Sequence, residues 1–259
     1  MFPVVFKLGF IEARSYYLLW ASALLLFVFW TRQRAIKNYG FDYNQATDVL
    51  LGIYCAGIIG AYGLSVLTRL PHYLNGELTL SMLFRGLVSW GGMLAGGAVG
   101  LFMLHRYKKS PGGFADAAAI PIAAMLAVGR LGCGFEGCCA GIGGYYKEQP
   151  WWAVHMHYDP AGYLRYPSQF AESLASLAIL VVLLGTEKAL KKYAPDYKGG
   201  VLFPIFAVLY SLYRFFFDSL RDTGDNISPN GNFVWLCTIA VGLIWLCCSL
   251  YRIRAASRH

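Results

Sequence analysis

Two stretches of this chain bring together groups that can bind, polarise or attack. The first is Gly129-Arg130-Leu131-Gly132-Cys133-Gly134-Phe135-Glu136-Gly137-Cys138-Cys139-Ala140-Gly141, which closes an apolar run yet holds an arginine, a carboxylate and three of the seven cysteines, among glycines that keep the backbone open to a ligand. The second is Tyr210 to Arg221, where Arg214, Asp218 and Arg221 are spaced by four and three and so share one helical face. An arginine inside an apolar span is costly unless paired or wet, so it marks a site by default. Three guanidinium groups, Arg130, Arg214 and Arg221, converging near one leaflet suit a phospholipid phosphate, which arginine grips bidentately. The same clamp stabilises a phosphate leaving group as charge grows on it. Tyr17, Glu136, Ser168, Gln169 and Glu172, on neighbouring helix ends, are placed to orient an acceptor or take its proton. A variant makes Cys133, Cys138 or Cys139 a covalent nucleophile, its thiolate favoured by arginine. Blander readings stand beside these: an Arg214–Asp218 pair that locks two helices, an Arg130 that anchors a helix at the interface, and cysteines that pack.

The elements that position these residues are membrane helices. Of 259 residues, 57% are hydrophobic and 14% charged, with a mean hydropathy of +0.47, well outside the soluble range. The net charge of +8 is spread in small basic clusters between apolar runs, the pattern of topology signals; nucleic acid is not an expected partner. Cys55, Cys237, Cys247 and Cys248 fall inside apolar runs, so no secreted disulfide framework is implied.

The expected fold is all-α, a single integral membrane domain over 1–259 with seven transmembrane helices at about 15–30, 46–68, 83–104, 114–131, 168–184, 201–220 and 232–251. Residues 1–14, where Phe2, Val4, Phe6 and Phe10 alternate with charges, are expected at the interface, and 134–166 forms an aromatic surface segment with Trp151 and Trp152. Gly52, Gly57, Gly60 and Gly63 on the second helix, and Gly92, Gly96 and Gly100 on the third, read as packing seams. Asp116 is expected at the positive end of its own helix. Lysine and arginine are in excess after helices one, three and five and in the tail, through Arg258; Arg85 and Lys147 belong to the poorer side. That asymmetry puts the C-terminus in the cytoplasm and the N-terminus outside or in the periplasm, with the arginine and cysteine cluster at the external side.

The chain resembles the prolipoprotein diacylglyceryl transferases over nearly its whole length. Gly-Gly-Met-Leu-Ala-Gly-Gly at 91–97, Asp116, Gly129-Arg130-Leu131-Gly132, Pro167-Ser168-Gln169 with Glu172, and Tyr210 through Arg221 follow that family's motifs in order. The resemblance implies transfer of the diacylglyceryl group of phosphatidylglycerol to the lipobox cysteine of a prolipoprotein, in the inner membrane of a bacterium, with no cofactor and no resident metal. It implies that Arg130 binds the phosphatidylglycerol phosphate, Arg214 assists catalysis and Tyr17 lines the site. Gly132, Ser168, Gln169, Glu172 and Arg221 join the substrate-binding set, and Glu136, Cys133 and Cys138 the catalytic one. The chain also departs from the pattern. Cys133 stands where the family has asparagine, Cys138 where it has glutamate, Trp90 where it has histidine or tyrosine, and Ala61 where it has a second-helix arginine. This is the profile of a divergent, cysteine-rich paralogue.

Two other classes stay open on sequence. Cys133, Cys138 and Cys139, with His155 or His157, would make a membrane redox or metal-binding protein, although adjacent cysteines chelate poorly. A lipid-binding scaffold with a structural disulfide is the third.

Overall fold

A computed structural model describes residues 4–8, 11–83, 86, 88–145, 150–195, 197–222 and 231–256. Among these, the chain is all-helical apart from two short hairpins. The helices are α1 (Ser15–Tyr39), α2 (Tyr43–Leu74), α3 (Leu80–Leu83), α4 (Ser89–Arg106), α5 (Pro111–Glu136), α6 (Ser168–Tyr193), α7 (Leu202–Phe217) and α8 (Gly231–Ala256), and a 3-10 turn, Asp218–Leu220, follows α7. Five are long and apolar enough to cross a membrane: α2, α5, α6, α7 with its 3-10 turn, and α8. Arg85, Lys147 and Arg258 of the charge asymmetry, and Phe2 and Phe10 of the amino-terminal segment, lie outside the described residues.

Helix ends depart most from expectation. The first helix does not stop at Trp30 but runs to Tyr39, because Arg32, Gln33, Arg34, Ala35 and Lys37 are good helix formers although polar. It ends before Gly40, which takes a φ of +66°. Likewise α6 passes residue 184 to Tyr193, supported by a Glu187–Lys191 pair at 3.2 Å. The third expected helix, 83–104, is α4, which starts later, at Ser89, and runs to Arg106, while the short α3 falls in the stretch expected as a loop. Ahead of α1, β1 (Val4–Leu8) pairs antiparallel with β2 (Ile11–Arg14).

Contacts divide the chain into two compact units. In Arg32–Phe114, α2 and α4 meet along glycines. A Cβ at Gly92 would lie 2.9 Å from the Gly57 carbonyl and one at Gly96 3.0 Å from that of Ile53, while Gly60 and Gly91 face each other backbone to backbone. Gly63, expected in the same seam, touches nothing there.

In Met1–Thr31 with Ala115–His259, the core is Ala119, Ile120 and Ala123 of α5, Ile179 and Leu183 of α6, and Leu202 and Phe206 of α7, with Trp30 of α1 packed on it. Helix α5 is the interior element, with 61% of its most apolar window buried against 6% for α8. Asp116 is fully buried, but it serves another helix than its own. Its carboxylate accepts the backbone N–H groups of Gly200, Val201 and Phe203 at 2.9, 3.0 and 2.9 Å and the Tyr197 hydroxyl, capping the start of α7. That cap fixes the helix carrying Arg214 relative to the helix carrying Arg130. Ser173 Oγ donates to the Ala127 carbonyl at 2.7 Å, tying α6 to α5.

Candidate active site

Helix α5 delivers Arg130 in its last two turns, α6 delivers Glu172 in its first turns, and α7 delivers Tyr210 and Arg214 in its last. Glu172 is the hub. Its Oε1 lies 2.9 Å from Arg130 Nε and accepts the Tyr210 hydroxyl at 2.7 Å, and its Oε2 lies 3.4 Å from an Arg214 nitrogen. These side chains are nearly closed off, with relative exposures of 14% for Arg130, 12% for Arg214 and 6% for Glu172. Arg214 also donates to Asp218 at 2.6 Å and stands over the Trp235 ring, 5.1 Å from its centre; Trp235 Nε1 donates to the same aspartate at 3.2 Å. The Arg214–Asp218 pair expected from spacing is therefore present, but it is one arm of a larger cluster. Arg130 and Arg214 face two carboxylates, Glu172 and Asp218, so the inner cluster balances, and Arg221 at the adjoining cleft brings the positive charge left over for an anion.

A cleft opens onto this cluster, lined by Ser168, Glu172, Tyr213, Arg214, Asp218 and Arg221. Arg221 sits past the helical end, in extended backbone, and pairs with Gly141 across an isolated β-bridge.

The cysteine stretch is held differently. Cys133 is buried in the last turns of α5, and Cys138 and Cys139 follow in a loop. The loop is stitched on both sides. Gly141 and Ile142 donate to the carbonyls of Tyr166 and Leu220, both at 2.9 Å, and Asp222 donates to Ala140 at 3.1 Å. Beyond it β3 (Gly143–Tyr145) pairs with β4 (Tyr163–Arg165). Arg165 clamps the strap through Asp159 at 2.7 and 2.9 Å and Asp222 at 2.6 Å. Ser168 and Gln169 do not reach into the cleft with their donors; Ser168 Oγ donates to the Cys139 carbonyl at 2.7 Å and Gln169 Nε2 to the Cys138 carbonyl at 2.8 Å. The three thiol sulfurs lie within 4.8 Å of one another. Hydrogen bonds from the Cys133 and Cys138 thiols, then the charges of Arg221 and Arg130, hold Cys139 well below the ordinary thiol range despite its burial. Cys138 is pushed up by its hydrogen bonds with Cys133 and Cys139. Neither histidine joins the trio; His155 faces the Pro160 carbonyl at 3.3 Å.

Three sequence readings change. The glycines of 129–134 serve helix packing rather than ligand access: a Cβ at Gly129 would sit 2.9 Å from the Trp20 ring, one at Gly132 3.2 Å from Leu19, and one at Gly134 2.7 Å from Phe170. Glu136 turns to Arg14, whose guanidinium donates to Oε1 at 2.8 Å, while Oε2 is buried with no hydrogen-bond partner among the described residues. Tyr17 is 66% exposed, edge-on to Tyr16 at 5.3 Å, and it is Tyr16 that backs Gly132. Sequence reasoning missed Tyr210 and Trp235. Tyr210, four residues before Arg214 and on its face, was findable; Trp235 comes from α8 and carried no signal.

The chain is similar to known proteins over nearly its whole length. Residues 3–250 match the family model for prolipoprotein diacylglyceryl transferase. The phosphatidylglycerol–prolipoprotein diacylglyceryl transferase of Clostridium tetani (strain Massachusetts / E88) is 23% identical over 253 residues, covering 94% of this chain and 96% of the relative. That of Geobacter sulfurreducens is 26% identical over 223 residues, covering 85% and 82%, and that of Staphylococcus aureus (strain Newman) 25% over 256 residues, covering 96% and 88%. With the match running through α1 to α8 and across every residue of the arginine cluster, this multi-pass membrane chain belongs to the prolipoprotein diacylglyceryl transferase family.

Proposed function

We propose that this protein is a transferase that moves the diacylglyceryl group of phosphatidylglycerol to the thiol of a prolipoprotein lipobox cysteine, releasing glycerol phosphate. The observation that carries the reading is the buried cluster in which Arg130 and Arg214 share Glu172. The lipid phosphate binds where Arg221 adds a third guanidinium to this balanced cluster, giving the cleft its net positive charge. As the acceptor sulfur attacks the glyceryl carbon that bears the phosphate, a C–S bond forms, the C–O bond breaks, and the electron pair leaves on the phosphate oxygen. Charge grows where the guanidiniums are already fixed, in a site that excludes water, so they favour the transition state over the bound substrate.

Arg130 holds the phosphate, Arg214 follows the leaving oxygen, and Arg221 guards the cleft mouth. Glu172 keeps the two inner guanidiniums oriented. Glu136, with its unpartnered Oε2, takes the acceptor's proton. Ser168 and Gln169 act through the loop they hold, Gly132 through the seating of α1, and Tyr17 from the lipid side. The placement that goes with this reading is a single integral membrane domain of seven spans over 1–259, in the inner membrane of a bacterium, N-terminus external, C-terminus cytoplasmic and cleft toward the external leaflet. It rests on the basic excess in the loops after helices one, three and five and in the tail. Family membership favours a transferase over a membrane redox or metal-binding protein as the chain's function.

The test is purified protein in phosphatidylglycerol vesicles with a lipobox peptide. Glycerol phosphate and a thioether-linked lipopeptide are expected, both lost in Arg130→Ala and Arg214→Ala. Undiminished turnover in both variants would sink the assignment.

A further inference from the structure

The thiol trio has no part in the lipid half of the reaction, and its geometry asks for an occupant. We propose that Cys133, Cys138 and Cys139 form a three-thiolate site for a thiophilic d10 divalent cation, zinc being the type case, whose open fourth position takes the acceptor thiol. The acceptor part rests on the transferase reading above; the metal part does not. It also runs against the metal-free expectation drawn from the family resemblance, at two of the positions where this chain departs from the family, 133 and 138.

Three observations carry it. The sulfurs already lie within 4.8 Å of one another, and a tetrahedral zinc with bonds of about 2.3 Å needs them about 3.8 Å apart, a contraction that side-chain rotation supplies. Adjacent cysteines usually diverge, but Cys139 adopts φ +59°, a left-handed conformation unusual for a residue with a Cβ, and here the two neighbouring thiols converge instead. The loop is fixed through its carbonyls by Ser168 and Gln169, so its position is set without using the thiols.

The donor count then identifies the kind of site. Structural zinc sites close with four protein ligands, and catalytic ones keep three and leave a position open. Among the described residues the group comprises three thiols. Three thiolates and a divalent ion carry one net negative charge, and Arg130 and Arg221 are within electrostatic reach of Cys139 to balance it.

An incoming thiol bound at the fourth position loses its proton on coordination, to water with or without Glu136 as relay, and becomes a held thiolate beside the phosphate clamp. Its sulfur forms the bond to the glyceryl carbon, the C–O bond breaks, and glycerol phosphate leaves with the electron pair. The product thioether is a poorer ligand than the thiolate and departs. Nothing is oxidised or reduced.

The test uses full-length protein purified in detergent under reducing conditions without chelator. Zinc at one per chain is expected by elemental analysis, falling in Cys133→Ser, Cys138→Ser and Cys139→Ser. Metal-stripped wild-type protein titrated with cobalt(II) is expected to show a thiolate-to-cobalt charge-transfer band. Its d–d bands should shift on adding a lipobox peptide, and stay unchanged with the same peptide carrying serine for cysteine. Arg214→Ala keeps metal and spectrum while losing transfer, which separates failure of the site from failure of the transferase reading. Substoichiometric zinc with no cobalt charge-transfer band overturns the site. A cobalt spectrum indifferent to the cysteine peptide overturns the acceptor role.

Discussion

Around Arg130 and Arg214 the ties run from side chain to side chain, between helices; around Cys138 and Cys139 they run to the main chain, from a loop. Glu172, on α6, gathers Arg130 from α5 and Arg214 and Tyr210 from α7, and Asp218 and Trp235 complete the shell. The loop is held instead by Ser168, Gln169 and the strands that flank it, at carbonyls and amides, which leaves its thiols for other partners. The difference teaches which half is committed. A leaving phosphate needs donors fixed before it arrives, so the cost of orienting them is met in folding. An acceptor arrives as a separate chain, and the side that meets it keeps its reactive groups uncommitted.

The sharpest way to break this contrast is to remove the shared carboxylate. Glu172→Gln leaves Arg130 buried without its counter-charge and Arg214 with Asp218 alone, a loss of about 3–5 kcal/mol by the behaviour of broken buried pairs. Thermal unfolding of the metal-stripped protein in detergent should show a large fall in Tm, whereas Cys138→Ser, at the loop, should leave Tm nearly unchanged in the same metal-stripped state. Equal losses would erase the distinction. Next in size is Arg214→Lys, which keeps the charge but cannot bond Glu172 and Asp218 together as a planar fork can. Loss of one such donor to a developing oxyanion costs about 10²–10³ in kcat, so steady-state release of glycerol phosphate should drop by that order with the fold intact. A fall of less than about threefold would remove Arg214 from the transition state.

How much of this could be read from the sequence follows from the range of each interaction. Arg130, Arg214 and Glu172 were legible because charge in an apolar run is costly wherever it sits, and Tyr210 was within reach through helical spacing. The basic excess and apolar runs gave the helices but misplaced their ends at Trp30 and Leu184, because polarity ends an apolar run without ending a helix. Asp116 was assigned to its own helix dipole and instead caps α7 more than eighty residues away. The pairing of Gly143–Tyr145 with Tyr163–Arg165 is too short to leave a periodic signal. The glycines at 129, 132 and 134 were misread since the missing Cβ permits a ligand or a helix equally, and only Trp20, Leu19 and Phe170 decide which.

Within the loop, the ties themselves can be ranked. Gln169→Ala removes the donor to the Cys138 carbonyl and leaves it poorly satisfied, at about 1–3 kcal/mol. Because that bond positions the thiol side and not the clamp, KM for the lipobox peptide should rise while KM for phosphatidylglycerol stays put. A parallel rise in both would mean that the loop also shapes the lipid site.

Asp222 should matter least. Its carboxylate meets Arg165 at 2.6 Å but is 45% exposed, and exposed pairs contribute about 0–1 kcal/mol once solvent screens them. Its main chain does more for the strap, since its N–H donates to the Ala140 carbonyl at 3.1 Å and survives any side-chain change. Asp159, with a side chain only 5% exposed and two bonds to the same arginine, carries the buried share of the clamp. Asp222→Asn should therefore leave Tm and peptide KM within error of wild type, while Asp159→Asn lowers Tm measurably. If Asp222→Asn were the more damaging of the two, the strap would depend on surface charge, and its main-chain bonds would be the consequence of that pairing instead of the support beneath the thiols.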